Sequence, residues 1–152
     1  MFGGGISNKT SRLYRSLVDK ELAVSVSGGA AATIDPFLYY VTITVHPQRK
    51  PEEALAALDL EIERIQNELV TKVEIARAIK QARAIFAYGS ENITNQAFWL
   101  GYAEMFADYN WFLTYLDKLA KVTPKEVRRV AGEYLRPQNR VVGTYIPLDG
   151  EA

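Results

Sequence analysis

The sequence predicts an α+β fold in which helices pack on one face of a mainly antiparallel sheet. Three features support this: two segments alternate apolar and polar residues, a long middle stretch has helical spacing, and a last strand-like segment follows the helices. A strand that returns after the helices to join an early hairpin is typical of this layered class. The 152 residues fit one domain, so we expect residues 1–152 to fold together.

The N-terminal third is predicted to form a short helix over residues 11–20 and then two strands. Leu22, Val24 and Val26 alternate with smaller residues, and residues 37–45 alternate in the same way. A Gly-Gly pair and an Asp-Pro pair lie between the two segments and allow the chain to reverse. We therefore expect an antiparallel pair.

The period becomes helical from Pro51 onward. A helix over residues 52–69 should bury one stripe of apolar side chains, Leu55, Leu58, Ile62, Ile65 and Leu69. Capping boxes at Thr71 and Thr123 predict the starts of two further helices. The aromatic stretch 93–119 should hold two helices broken near residues 108–110.

The last helix and the C-terminal segment complete the predicted fold. The helix after Thr123 should bury Val127, Val130, Tyr134 and Leu135. Arg136-Pro137 should end it, and residues 140–146 are predicted to form a strand in the same sheet.

The composition excludes several kinds of site. A catalytic zinc usually needs three protein ligands, but the chain has one His and no Cys. We interpret His46, which precedes Pro47, as a turn histidine, and no residue as a catalytic group or metal ligand. A Ser-His-Asp site would need the same His46. Lys plus Arg equals Asp plus Glu at 18 each, so no net field favours nucleic acid.

Two features leave alternatives open. Gly3, Gly4 and Gly5 lack the lysine of a P-loop, so a mobile loop or a close approach to a peptide is favoured over phosphate binding. The aromatic residues could line a pocket, but their three-to-four spacing favours core or interdomain packing. They are Phe98, Trp99, Tyr102, Phe106, Tyr109, Trp111, Phe112 and Tyr115.

The order of short motifs resembles the C-terminal subdomain of pitrilysin/insulinase-family peptidases. The glycine loop, helix and strand come first, a Pro-Glu-Glu helix start follows, and a Tyr-Leu-Arg-Pro segment closes the pattern. The matching segments are residues 3–5, 11–15, 22–26, 51–53, 95–101, 122–127 and 134–140.

The resemblance implies a non-catalytic subdomain that helps to form the substrate chamber of a zinc metalloendopeptidase. Zinc would be held in the parent's N-terminal subdomain, so no cofactor is expected in this chain. The expected partners are that subdomain, a second homologous half, and a peptide substrate contacted through Gly3, Gly4 and Gly5. The family's strand and helix before the glycine loop are missing, which predicts an artificial boundary or an internal start at Met1.

One departure from the family concerns two side chains that reach into the chamber in the half without zinc. Relatives have a Tyr where this chain has Val24, and an Arg near Leu17 or Val18. Neither Val nor Leu can donate to an oxyanion, so those roles do not carry over. This favours the zinc-bearing half, or a non-catalytic partner.

Two other functions remain open: a non-peptidase scaffold subunit with the same fold, and a helical protein-interaction module using residues 98–115. We expect no membrane span and, for the isolated chain, a homodimer formed through a sheet edge or the aromatic surface. The compartment, bacterial cytoplasm or periplasm, stays undecided.

Overall fold

The computed structural model describes residue 2, residues 9–30 and residues 33–147. Within these residues the fold is α+β, with helices packed against an antiparallel sheet, as predicted. After a short N-terminal π-helix, the elements are strands β1 (Ala23–Ala30) and β2 (Tyr39–Val45), then helices α1 (Pro51–Asn67), α2 (Lys72–Gly89), α3 (Ile93–Phe106), α4 (Tyr109–Ala120) and α5 (Pro124–Tyr134). No helix in this part of the chain combines the length and apolar composition that crossing a bilayer requires.

The N-terminal helix is a π-helix over Tyr14–Val18. The backbone N–H of Asp19 donates to the carbonyl of Tyr14 at 3.1 Å, a bond that spans five residues. Its inner side is fully buried: Leu13 and Leu17 are both 0% exposed. These two leucines form the centre of the core.

The two strands pair antiparallel, with a bulge near the start of β1. Ala23 lies opposite Val45 and Ser25 opposite Thr44, so Val24 is an extra residue without a partner in β2. The predicted alternation, with Val24 and Val26 on the same side, is wrong because of this bulge: Ala23 and Val26 are buried, whereas Val24 is 57% exposed. An inserted residue changes which side chains face the core, since the period of a strand is two.

Helix α1 covers the core, but its buried stripe differs from the predicted one. Leu58 and Ile65 are buried as expected, and Leu55 and Ile62 pack beside them. Leu69 is 47% exposed, because the helix ends at Asn67 and the next residue turned inward is Val70.

Helix α5 packs on α1 through a stripe that also differs from the predicted one. Ala131 is buried and Val127 and Leu135 are half-buried, whereas Val130 is 43% and Tyr134 61% exposed. The side chain of Gln66 on α1 reaches across to the end of α5 and donates to the carbonyl of Leu135 at 2.7 Å. This bond satisfies a carbonyl that the end of a helix leaves free.

The predicted strand over residues 140–146 is wrong: the segment has no regular secondary structure and pairs with no strand in the described chain. The guanidinium of Arg140 holds its start against the carboxylate of Asp59 on α1. Beyond that point Val141 is 97% and Tyr145 89% exposed. An alternating sequence becomes a strand only when it pairs with a neighbouring strand, and in the described residues this segment pairs with none.

Candidate functional site

The predicted peptide-contacting residues Gly3, Gly4 and Gly5 lie outside the described residues. The described residue nearest to them is Phe2, which is buried in the core, and its carbonyl accepts from the N–H of Leu13 at 3.2 Å. Phe2 is therefore attached beside the π-helix.

The only histidine lies in a turn. The Nδ1 atom of His46 accepts from the backbone N–H of Gln48 at 3.2 Å, and the backbone N–H of His46 donates to the carbonyl of Leu22 at 3.1 Å. No group of three or more His, Cys, Asp or Glu residues with metal-ligand geometry occurs in the described part of the chain. His46 thus has a structural role at the end of β2.

The two positions compared with the family's Arg and Tyr have opposite environments. Leu17 is fully buried and Val18 is half-buried, whereas Val24 is exposed at the bulge. Position 17 therefore belongs to the core in this chain, and position 24 is the most accessible of the three. A valine there offers contact area but no hydrogen-bond donor.

The outer face of the sheet is the first surface that can meet a ligand. Apart from Val24, its side chains carry hydroxyl groups: the hydroxyl of Ser25 donates to that of Thr44 at 3.0 Å, and Ser27 lies opposite Thr42. Farther along, the ring of Tyr40 covers Gly29, where an added Cβ would meet the tyrosine hydroxyl at 3.4 Å. We call Val24, Ser25, Ser27, Thr42 and Thr44 the outer sheet face.

A second surface lies where the connection between the strands meets α3. An open pocket of about 370 Å³ is formed there, which we call the α3 pocket. It is lined by Ile34, Asp35 and Phe37 from the strand connection and by Tyr102, Met105 and Phe106 from α3. The aromatic spacing of α3 was visible in the sequence, but its meeting with the strand connection was not.

The aromatic residues of α2, α3 and α4 form a continuous series of ring contacts. We call it the aromatic ladder; its contacts run Phe98–Trp99–Tyr102–Phe106–Trp111–Tyr115–Phe86–Phe112, with the centroids of successive rings between 4.8 and 5.8 Å apart. Of these rings only Phe112 is buried, and Phe98 is 61% exposed. The predicted helix packing is present, but one side of the ladder stays open to solvent.

One ion pair links the π-helix region to α2. Arg12 donates through Nε and Nη2 to the two carboxylate oxygens of Glu74, at 2.9 and 3.1 Å. Glu74 also completes the capping box with Thr71 at the start of α2. The arginine, followed by the Thr71 N–H, holds the pKa of Glu74 below its usual range against the opposing effect of burial. Sequence reasoning found the cap but not the arginine, because the pair is 62 residues apart.

Comparison with known proteins identifies the fold and the family. Residues 1–82 match the model of the family described as peptidase M16 inactive domain. No curated protein matches the chain. A candidate zinc protease from Bordetella pertussis Tohama I has 26% identity and a TM-score of 0.82, over 93% of this chain and 79% of that one.

Two further solved structures share the fold. The inactive peptidase domain of a candidate zinc protease from Bordetella parapertussis has a TM-score of 0.85 at 24% identity, over 97% of this chain and 79% of that one. A protease from Helicobacter pylori has a TM-score of 0.82 at 21% identity; the match covers 91% of this chain and 33% of the protease. The expected resemblance to the C-terminal subdomain of pitrilysin/insulinase-type peptidases is confirmed, and the chain belongs to the peptidase M16 inactive domain family.

Proposed function

We propose that this chain, as one domain over residues 1–152, is a chamber-forming and substrate-contacting subdomain of a pitrilysin/insulinase-type zinc metallopeptidase. It supplies no catalytic group. A zinc-bearing subdomain and a second homologous half complete the enzyme, and a peptide substrate meets Gly3, Gly4, Gly5 and the outer sheet face.

The exposed Val24 is the observation that carries this proposal. Position 24 is where the family's chamber-facing tyrosine is expected, and here the bulge leaves it accessible beside the hydroxyls of the outer sheet face. A side chain without a donor cannot stabilise an oxyanion, so its contribution is contact with substrate rather than catalysis. The match to the inactive domain family supports the same role.

Reconstitution tests the proposal. We expect peptidase activity on a fluorogenic peptide only when the chain is combined with the zinc-bearing subdomain and the second homologous half. Val24→Glu should lower this activity while leaving thermal unfolding of the chain nearly unchanged. Val73→Glu is the matched control, because Val73 is 66% exposed on the first turn of α2, away from the outer sheet face.

The chain alone should hold no stoichiometric zinc at neutral pH and should cleave no peptide. Elemental analysis after dialysis measures the first and the same fluorogenic assay the second. One tightly held zinc per isolated chain, or full activity of the Val24→Glu complex, would contradict the proposed role.

A second candidate function is protein interaction through α3 and α4, as a module or as a scaffold subunit without peptidase activity. Phe98, Met105 and Leu113 are each more than 60% exposed there, at 61%, 68% and 61%. Apolar side chains concentrated on two helices often mark a contact surface.

Self-association of the isolated chain follows from the same exposed residues. We propose a homodimer, measured by sedimentation across a concentration series, that Phe98→Glu weakens if the aromatic surface forms the interface. A strictly monomeric chain at high micromolar concentration would reject the dimer, and a dimer unaffected by Phe98→Glu would place the interface elsewhere, such as at the sheet edge.

A further inference from the structure

The α3 pocket has a composition that selects for charge. Its lining includes three aromatic residues, Phe37 from the strand connection and Tyr102 and Phe106 from α3, together with the thioether-bearing Met105. Among the described lining residues, Asp35 is the one that carries a carboxyl group, and none is a Lys, Arg or His. Phe37 is 68% and Met105 68% exposed, so both are accessible from solvent.

The carboxylate of Asp35 decides which occupant the pocket favours. A neutral apolar side chain that filled the pocket would take this carboxylate out of water without compensation, which is costly. A cation would instead pair with the carboxylate and also be attracted by the faces of the aromatic rings. The polarisable sulfur of Met105 adds a surface against which an aliphatic stem can pack.

Lysine and arginine side chains combine both requirements, since each carries a charged head on an aliphatic stem. The stem can lie along Ile34 and Met105 while the head reaches Asp35. We propose that the α3 pocket is a binding site for the lysine or arginine side chain of an extended peptide. The proposal concerns binding to this chain alone and does not depend on the protease role.

The test is a titration of the full chain, labelled with ¹⁵N, with the capped tripeptide acetyl-Ala-Arg-Ala-amide. The neutral comparison peptide replaces arginine by citrulline, which keeps the shape of the side chain and removes its charge. We expect shifts of the Asp35, Phe37, Met105 and Phe106 amides, and about 3- to 30-fold weaker binding of the citrulline peptide. Raising the ionic strength should reduce this difference, because the Asp35 pair is solvent-exposed.

Two variants locate the charge that is recognised. Asp35→Asn should remove most of the preference for arginine over citrulline while retaining weak binding of both peptides. The fold should tolerate it, because the hydrogen bond that Asp35 makes within the described residues uses its backbone carbonyl, which accepts from the Thr33 hydroxyl. Asp117→Asn is the matched control, since it removes one exposed carboxylate on α4 that does not line the pocket.

Three results would overturn the proposal. Equal binding of the arginine and citrulline peptides would make the pocket a non-selective apolar surface. Shifts confined to other parts of the chain, or absent, would show that the pocket is not a site for this side chain. The same shifts appearing without peptide as the protein concentration rises would identify a second copy of the chain as the occupant.

Discussion

The two packed regions of this molecule are stabilised by different kinds of side chain. The region formed by the π-helix, the sheet, α1 and α5 closes around aliphatic side chains, with Leu13 and Leu17 completely buried. The region formed by α3, α4 and the end of α2 is held by the aromatic ladder, and in it only Ala103 and Phe112 are buried among the described residues. Aliphatic groups gain stability mainly by being enclosed. Aromatic rings also gain stability from edge-to-face and stacked contacts with one another.

The closed core therefore contributes most to stability, whereas the aromatic ladder leaves apolar surface that another molecule can contact. Loss of a side chain in the closed core leaves a cavity, whereas most rings of the ladder already have one side in water. The ladder can therefore order three helices and still present apolar surface to another molecule. Three changes test the contrast.

The largest effect is expected in the closed core. Leu17→Ala should lower the free energy of unfolding by about 2–5 kcal/mol, because the side chain is fully enclosed and its loss leaves a cavity. Leu113→Ala on α4, where the leucine is 61% exposed, should change it by less than about 0.5 kcal/mol. Urea unfolding of both variants measures the two values. A comparable loss at Leu113 would mean that the open side of α4 is covered in solution.

An intermediate effect is expected in the ladder. Phe106→Leu keeps an apolar side chain but removes the edge-to-face contacts of the Phe106 ring. Its centroid lies 5.2 Å from that of Tyr102 and 4.9 Å from that of Trp111. The expected loss is about 1–3 kcal/mol. Hydrogen exchange should accelerate in α3 and α4 while β1 and β2 keep their protection. Equal acceleration in both regions would show that they open as one unit and would weaken the contrast.

The smallest effect is expected at the ion pair between Arg12 and Glu74. Glu74→Gln keeps a residue that can complete the capping box and removes the charge that meets Arg12. We expect a loss of about 1–2 kcal/mol at neutral pH, since the pair is bidentate and partly buried. Arg129→Ala is the control, because its pair with Glu133 is largely exposed and should contribute little.

The pH dependence of that loss has a definite sign. The pKa of Glu74 is lowered in the folded state, first by Arg12, whereas in the unfolded state it has its ordinary value. The stabilisation is therefore complete above the ordinary glutamate pKa and disappears as the pH falls through the lower folded value. Chemical unfolding of the wild type and Glu74→Gln across this range should show the two converging in acid. A constant difference between them would contradict the assignment to charge.

Features that depend on neighbouring residues were predictable from the sequence. The capping boxes at Thr71 and Thr123 start α2 and α5 where expected, because a cap is formed by residues three apart. The break between α3 and α4 was also expected, and Asp108 caps the second helix there. Fold class followed from these local signals together with the motif order.

Features that depend on distant partners were not predictable. The exposure of Val24 depends on how β2 pairs with β1. Whether residues 140–146 form a strand depends on pairing with a distant strand, and in the described residues they pair with none. The α3 pocket needs Asp35 and Met105 to meet from separate parts of the chain. Nothing in the local pattern of either segment carries that information, since periodicity reports only which side chains share a face.

The bulge at Val24 also has a consequence for how such a domain can change over time. Val24 has no partner in β2 and does not lie in the core. Its replacement should therefore change the free energy of unfolding only slightly. One codon there can thus exchange a hydrogen-bonding side chain for an inert one, or the reverse, on an unchanged scaffold. A single mutation at this position can therefore remove or restore a chemical role while every variant along the way still folds.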